Sequence, residues 1–450
     1  MGRTHLGLLL VLLGLTAHPD RCWAQGFIIP ELGARKNGMG TAIGRPDDLS
    51  AIYHNPAALA LLPGTQIGVS FGLVHLTTDI RLAPWAGSEK YLTDPVDSEG
   101  YFPRQSPSVI APMPFIGAST NLFSSKVVGA IGIYVPNAAG ASFGDDAPSR
   151  YHITDAYVVS AFFTGAVAYR PWPCLALGFG VSAVYVRINR RFRLFPVING
   201  SDFSGVIGSN TELEIEGQDL QPAFHLGVQV WPHRTLSFGF MALSRYDVSL
   251  EGPLTLKLGE DASPMFNKPE FTDNEHRTEI SAPWIIGFGA NWDVTPWLEV
   301  GAEFRLYLND IVDEQRTTIT KGEILPDLLP DGFITPKNLH DSWHTGAGIN
   351  VRPMARLELM TGMHYEISAS PDNTVEVSAP SFDLAAAHIG ARYRITDRLG
   401  VSLHYAHYWY FERSTSESLT SPPTNFIGSG ASNVVAVTLE AQVAPGIGVN

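Results

Sequence analysis

Cysteine is nearly absent, with Cys22 and Cys174 the only two in 450 residues. That excludes a small secreted scaffold held by disulfides. No Cys/His spacing matches a structural zinc site. Beyond the N-terminus no window holds 18 consecutive apolar residues, which excludes a helical membrane span. Positive charge is scarce, 30 Lys and Arg against 44 Asp and Glu, and a net charge of -14 does not suit nucleic acid. No Gly-x-Ser-x-Gly string stands at a strand-to-helix turn (68–72 lies within a strand-like stretch), and neither a metalloprotease helix nor a phosphate-binding loop is present, so no enzyme, metal or cofactor is expected. Charged residues make up only 16% of the chain, and its mean hydropathy lies just above zero.

What is present resolves that combination. Arg3, the apolar run 6–15 and the small residues Cys22 and Ala24 form an export signal, with cleavage expected after Ala24. From residue 66 the chain alternates with period two. In 299–308, Val300, Ala302, Phe304, Leu306 and Leu308 share one face, while Glu299, Glu303 and Arg305 share the other with Gly301 and Tyr307. A transmembrane β-barrel turns such an apolar face to lipid and the charged face to a wet lumen. Fourteen segments read this way: 66–80, 109–121, 126–136, 157–170, 173–192, 220–231, 235–250, 280–293, 297–311, 341–353, 355–368, 382–396, 398–412 and 431–443. Their connections alternate strictly between short turns and long loops, as in outer-membrane barrels with short periplasmic turns. Both termini are then periplasmic. Trp172, Trp231, Trp292 and Trp297 flank short turns, and Trp284, Trp343 and Trp409 lie at the opposite strand ends, as two interfacial rims require. The expected fold is all-β: a barrel of about 14 strands (residues 65–450) behind a signal peptide (1–24) and an N-terminal segment (25–64).

That segment is not strand-like. Its apolar content, including Phe27, Ile28, Ile29, Leu32, Met39, Ile52 and Leu59, is too high for a disordered tail and suits a plug inside the lumen. Gly38 and Gly40 permit tight or left-handed backbone, Ser50 or Asp48 is placed to cap a short helix, and Pro56 disfavours helical geometry at Asn55. Gly26-Phe27, Gly38-Met39-Gly40, Asp47-Asp48 and Asn55-Pro56-Ala57 resemble the hatch of FadL-type long-chain fatty acid transporters, a family with relatives that take up toluene. The likeness extends to Pro283-Trp284-Ile285-Ile286-Gly287, to 299–303, and to 365–380 with Gly390-Ala391-Arg392-Tyr393. It implies outer-membrane transport of fatty acids or other hydrophobic small molecules. The hatch would pack through Asn55, Pro56 and Ala57, and the mature N-terminus, Phe27, Ile28 and Ile29, would reach the ligand pocket.

Two further features bear on function. Arg187, Arg190, Arg191 and Arg193 cluster at the outer end of the fifth strand, where they suit a ligand carboxylate, lipopolysaccharide phosphates or plain solvation. In the resembled family an inward kink of the third strand opens a lateral exit. Here that strand is expected to end at Tyr134-Val135-Pro136-Asn137, with Val135, Pro136 and Asn137 either beside such an exit or simply closing the strand. Loop acids such as Asp310, Glu323 and Asp327 read as solvated, or as bridged through divalent cations to lipopolysaccharide. The strand histidines His364, His388, His404 and His407 read as lumen or rim residues. The competing functions are a general diffusion porin, which lacks an apolar plug, and a barrel lipid hydrolase, which needs a Ser/His pair with a carboxylate or amide partner. Expected partners are a hydrophobic ligand, outer-membrane lipid and lipopolysaccharide, and the outer-membrane assembly machinery, with the chain a monomer.

Overall fold

The computed structural model describes residues 32–198, 201–208, 210–262, 268–322 and 329–445. The expected export signal and Phe27, Ile28 and Ile29 lie outside the described residues, as do loop acids Glu323 and Asp327.

Fourteen antiparallel strands form one closed sheet. They are β1 Thr65–Leu82, β2 Ser108–Asn121, β3 Val127–Ser142, β4 Asp155–Trp172, β5 Leu175–Arg193, β6 Glu212–His233, β7 Leu236–Leu243 with Tyr246–Lys257, and β8 Glu270–Ala282 with Trp284–Thr295. There follow β9 Leu298–Leu308 with Glu314–Lys321, β10 Phe333–Pro336 with Ser342–Met354, β11 Leu357–Glu366, β12 Leu384–Arg394, β13 Leu399–Ser414 and β14 Phe426–Ala444. Pairing of β14 with β1 closes the wall. Closure gives every strand a neighbour on both sides along at least part of its length, which limits the backbone groups left facing lipid, where no hydrogen bonds are offered.

Along β1, Ile67, Val69, Phe71 and Leu73 point outward and exposed, while Gly68, Ser70, Gly72 and Val74 point inward and buried or nearly so. This apolar-out order suits a lipid-facing wall. Trp172, Trp292 and Trp297 are exposed at the short-turn end and Trp284 and Trp409 at the other, as two rims require, whereas Trp231 is half-buried against the inner apolar cluster.

Beyond the rim at the long-loop end, the polarity of β5 to β9 inverts. Leu213, Ile215, Leu254, Leu256 and Phe271 now point inward into a dry cluster. The outer face carries cross-strand ion pairs: Arg187 to Glu216 (3.4 Å), Lys257 to Glu212 (3.1 Å) and Lys321 to Glu275 (3.2 Å). The stretches 193–219, 251–279 and 312–340, read as loops in the sequence, thus contain strand that continues past the membrane band. A lipid-facing pattern ends there because the surroundings become water.

Residues 32–64 fill the lumen and are buried almost throughout. They contain helix α1 Ala34–Met39, helix α2 Ala51–His54 and the 3-10 turn Pro56–Leu61. Gly40 ends α1 in left-handed backbone (φ 71°), as a residue without Cβ allows. Gly38 departs from expectation: it sits inside α1, and its missing side chain makes room for His404 and Met360 rather than for a turn. Asn55 is extended (φ -168°), as the following proline dictates.

Candidate functional site

The hatch is fastened to the wall by three kinds of contact. The Asn55 amide donates to Gln229 Oε1 (2.8 Å), Val228 O (3.2 Å) and Ile43 O (3.3 Å), and its Oδ1 accepts from the Ala57 N–H (3.2 Å). Gln229 in turn donates to Gly44 O (2.6 Å). One side chain thus ties both halves of the hatch to β6.

The second contact is steric. Strands β5 to β12 each place a glycine against the hatch. Gly178 faces Gly227, Gly239 faces Gly289, and Gly301, Gly348 and Gly362 run in line across the ladder, with Gly390 on β12. A Cβ at Gly227 would collide with Asn55 Oδ1 and stand 2.7 Å from Ala57 N. Gly227→Ala is therefore expected to destabilise the barrel by about 1–3 kcal/mol, the usual range for overpacking. The readout is the temperature at which the folded species disappears on unboiled gels. Gly165→Ala, at a position with nothing within 4 Å, is the control and should leave that temperature unchanged.

The third contact is ionic. Lys36 meets Glu303 (2.9 Å), and Glu303 also pairs with Arg305 (3.0 Å) and accepts the Ala42 and Ile43 N–H groups (2.7 and 3.1 Å). Arg35 and Arg352 both pair with Glu299. Arg392 reaches Asp47 (3.0 Å) and Asp48 (3.4 Å). Glu299, Arg305 and Lys36 are at most 1% exposed. The charged face of 299–308 does point to the lumen, but the lumen is dry at this level, because hatch cations and amides occupy it.

Toward the long-loop end the wall opens between β2 and β3. The two strands pair only from Phe115↔Tyr134 to Asn121↔Val128, although β2 stays paired with β1 back to Ser108. Ile80 and Gln105 exchange backbone bonds, so odd-numbered residues of β2 face β1 and even-numbered ones face β3. Pro112 and Pro114 therefore stand on the unpaired edge, where they have no N–H to leave unsatisfied. On the other side, β3 bulges between Tyr134 and Asn137, at Val135 and Pro136. Contrary to expectation β3 does not end there; it continues beside β4 to Ser142. Across 137–141 the in/out alternation is lost and every residue is half-buried.

A cavity of about 190 Å3 lies against this opening. Its wall includes Asn137, Ala138, Ala139, Gly140 and Ala141 from β3, Ala156 and Val158 from β4, and Ile188 from β5. Three charged side chains line it: Arg190, Lys337 and Glu376. Lys337 pairs with Glu376 (3.3 Å), and the Ser378 hydroxyl donates to the same carboxylate (2.8 Å). Burial alone would raise the Glu376 carboxyl, but Lys337, then Arg190, outweigh it and hold it down at about 2. Burial pushes the His152 imidazole down to about 4, so it is neutral near pH 7. Arg190 donates through Nη2 to His152 O (2.9 Å), while its buried Nε has no partner; neither has buried Asn137 Oδ1.

Of the sequence candidates, Asn55, Pro56 and Ala57 come together on the wall glycines, and Val135, Pro136 and Asn137 come together at the opening. Arg190 lines the cavity beside Asn137. Arg187 does not: it points outward, exposed, to Glu216. Period two along β5 separates these arginines, since 188, 190 and 192 share one face and 187, 189 and 191 the other. Pro112, Pro114, Lys337 and Glu376 had not been singled out. The Pro-x-Pro spacing, two prolines on one strand edge, was the available signal for the first two. A Ser/His pair exists, Ser182 Oγ to His225 Nε2 at 2.7 Å, but both are buried. The pair belongs to a hydrogen-bonded row, Tyr134–Thr164–Ser182–His225, that braces the last fully paired rung of β3.

A family model described as outer membrane protein transport protein (OMPP1/FadL/TodX) matches residues 16–444. No curated protein matches the sequence. Among solved structures, the fold is similar to a Pseudomonas aeruginosa FadL homologue (TM-score 0.77, 15% identity, 93% of this chain and 100% of that one). It is also similar to the P. putida toluene transporter TodX (0.69, 15%, 92% and 99%) and to the CymD monoaromatic hydrocarbon channel (0.63, 13%, 92% and 98%).

Proposed function

Since this chain belongs to the OMPP1/FadL/TodX family of outer membrane transport proteins, which are channels for hydrophobic compounds and not enzymes, we propose that it carries long-chain fatty acids. In this reading the long loops face outward and both termini the periplasm. The acid is held in the cavity beside Asn137 with its carboxylate toward Arg190 and Lys337. Its chain lies along Ala138, Ala139 and Gly140 and leaves sideways between β2 and β3.

The observation that carries the reading is a small-residue cavity against an unpaired strand edge, with a net positive charge at one end. Two cations and one carboxylate line the cavity. A neutral hydrocarbon leaves the half-buried Arg190 guanidinium without an anionic partner, whereas a carboxylate ligand neutralises it. Each buried methylene favours apolar surroundings by about 0.8 kcal/mol, so ten favour them by roughly 8 kcal/mol. Sideways release into the bilayer keeps that gain; release into periplasmic water forfeits it. The hatch also supports this reading over a diffusion porin, because it removes the wet channel such a porin needs.

The test is Arg190→Ala. A hydrogen bond to a charged group is worth about 1.5–3 kcal/mol, so the variant should bind a fluorescent fatty acid roughly 10- to 100-fold more weakly. The matching fatty alcohol should bind as before. Equal losses for acid and alcohol, or no loss for either, would remove the headgroup assignment.

A further inference from the structure

We propose that Glu376 is a built-in competitor for the ligand's carboxylate, occupying Lys337 so that an acid is held loosely enough to be passed on. The inference rests on the reading that Arg190 and Lys337 receive the headgroup, and it concerns what limits that grip.

Glu376 is in an unusual place for a loop carboxylate. The loop between β11 and β12 dips inward, and Val375 and Val377 on either side of Glu376 are fully buried in the apolar cluster under the loops. The loop is tied down from both directions. Thr374 Oγ1 donates to Lys337 O (2.6 Å), and Arg413 holds Ser381 O (2.7 Å) and Asp372 (2.8 Å). The backbone therefore presents Glu376 to Lys337 at 3.3 Å, with Ser378 steadying the same oxygen. Lys337 is itself buried and, with Glu376, lines the cavity.

In an apolar cavity a cation left without a partner is strongly disfavoured, and a carboxylate ligand would be drawn to it accordingly. Facing both cations, buried Lys337 and half-buried Arg190, an acid would be held more firmly than by one of them. Glu376 supplies the same functional group as the ligand, at fixed effective concentration, to one of the two. An arriving carboxylate meets one free positive charge instead of two, and must share or displace an existing partner to reach the second. Held down at about 2 by Lys337 and Arg190, the Glu376 carboxyl stays ionised, and so competing, at any pH near neutral.

Glu376→Gln tests this in the full-length protein. Glutamine keeps the size and an oxygen acceptor for Lys337 and Ser378 but removes the charge. Binding of a fluorescent long-chain fatty acid should tighten about tenfold or more, binding of the corresponding alcohol should change less than twofold, and acid uptake into cells or vesicles should slow. The double variant Lys337→Met with Glu376→Gln restores the net charge and should return acid affinity close to wild type, an outcome that mere support of the loop does not predict. Unchanged or weaker acid binding in Glu376→Gln, while Arg190→Ala still discriminates acid from alcohol, overturns the competitor role and leaves the headgroup site standing. If Arg190→Ala fails to discriminate as well, the headgroup site itself is wrong.

Discussion

Truncating Glu303 to alanine is expected to convert a closed barrel into an ion-conducting one. The carboxylate holds Lys36 and the Ala42 and Ile43 amides of the hatch while neutralising Arg305 of its own strand. Its removal leaves two cations and two amides buried without that acceptor. Breaking one side of a buried ion pair destabilises by about 3–5 kcal/mol, and the damage falls on the hatch-to-wall contact rather than on the ladder, whose backbone bonds are untouched. Water entering beside α1 relieves the unpaired charge and opens a path along the lumen. Single-channel recording in planar bilayers should show conductance absent from wild type. Glu303→Gln, which still accepts from the amides, should leak less. A silent Glu303→Ala channel, with the barrel folded, would mean that the ion pairs are not what keeps the hatch seated.

The second large effect concerns the opening. With Cys174, an exposed free thiol, changed to Ser, cysteines at Pro112 and Ala138 can be joined by a cleavable bifunctional maleimide. The link spans the β2–β3 opening where neither strand has a partner on that side. Fatty acid uptake should fall to background while binding to the purified protein persists, and cleaving the linker should restore uptake. Undiminished uptake through the linked wall would direct attention to a route down the lumen past the hatch.

The strands were legible because lipid imposes a single rule on every outward residue, so period two survives across some 15% identity to solved relatives. The extensions of β5 to β9 were not, because beyond the rim that rule reverses and Glu212, Glu214 and Glu216 resemble solvated loop. The end assigned to β3 failed for a related reason: after Pro136 come small residues that serve both faces and carry no alternation. Asn55-Pro56-Ala57 was visible as a motif, yet its partners were not, since Gln229 and Glu303 reach the hatch across about 170 and 260 residues of chain. Lys337 and Glu376 meet only because two loops fold over the same cavity, and no local spacing encodes that meeting.

The row of glycines around the hatch has a consequence for biogenesis. A glycine within a strand is less favourable than alanine by roughly 0.5–1 kcal/mol, so eight of them weaken the bare wall by about 4–8 kcal/mol, comparable to the whole stability of a typical domain. Strands β5 to β12 are thus poor at holding one another in an empty cylinder and become good at it only around something that fills the missing volume. The hatch precedes every strand in the chain and is in position to act as a mandrel, the sheet wrapping it before the β1–β14 seam seals. Amides along the glycine row should then be the last in the barrel to exchange with deuterium. A hatch supplied as a separate peptide after closure would find no way in.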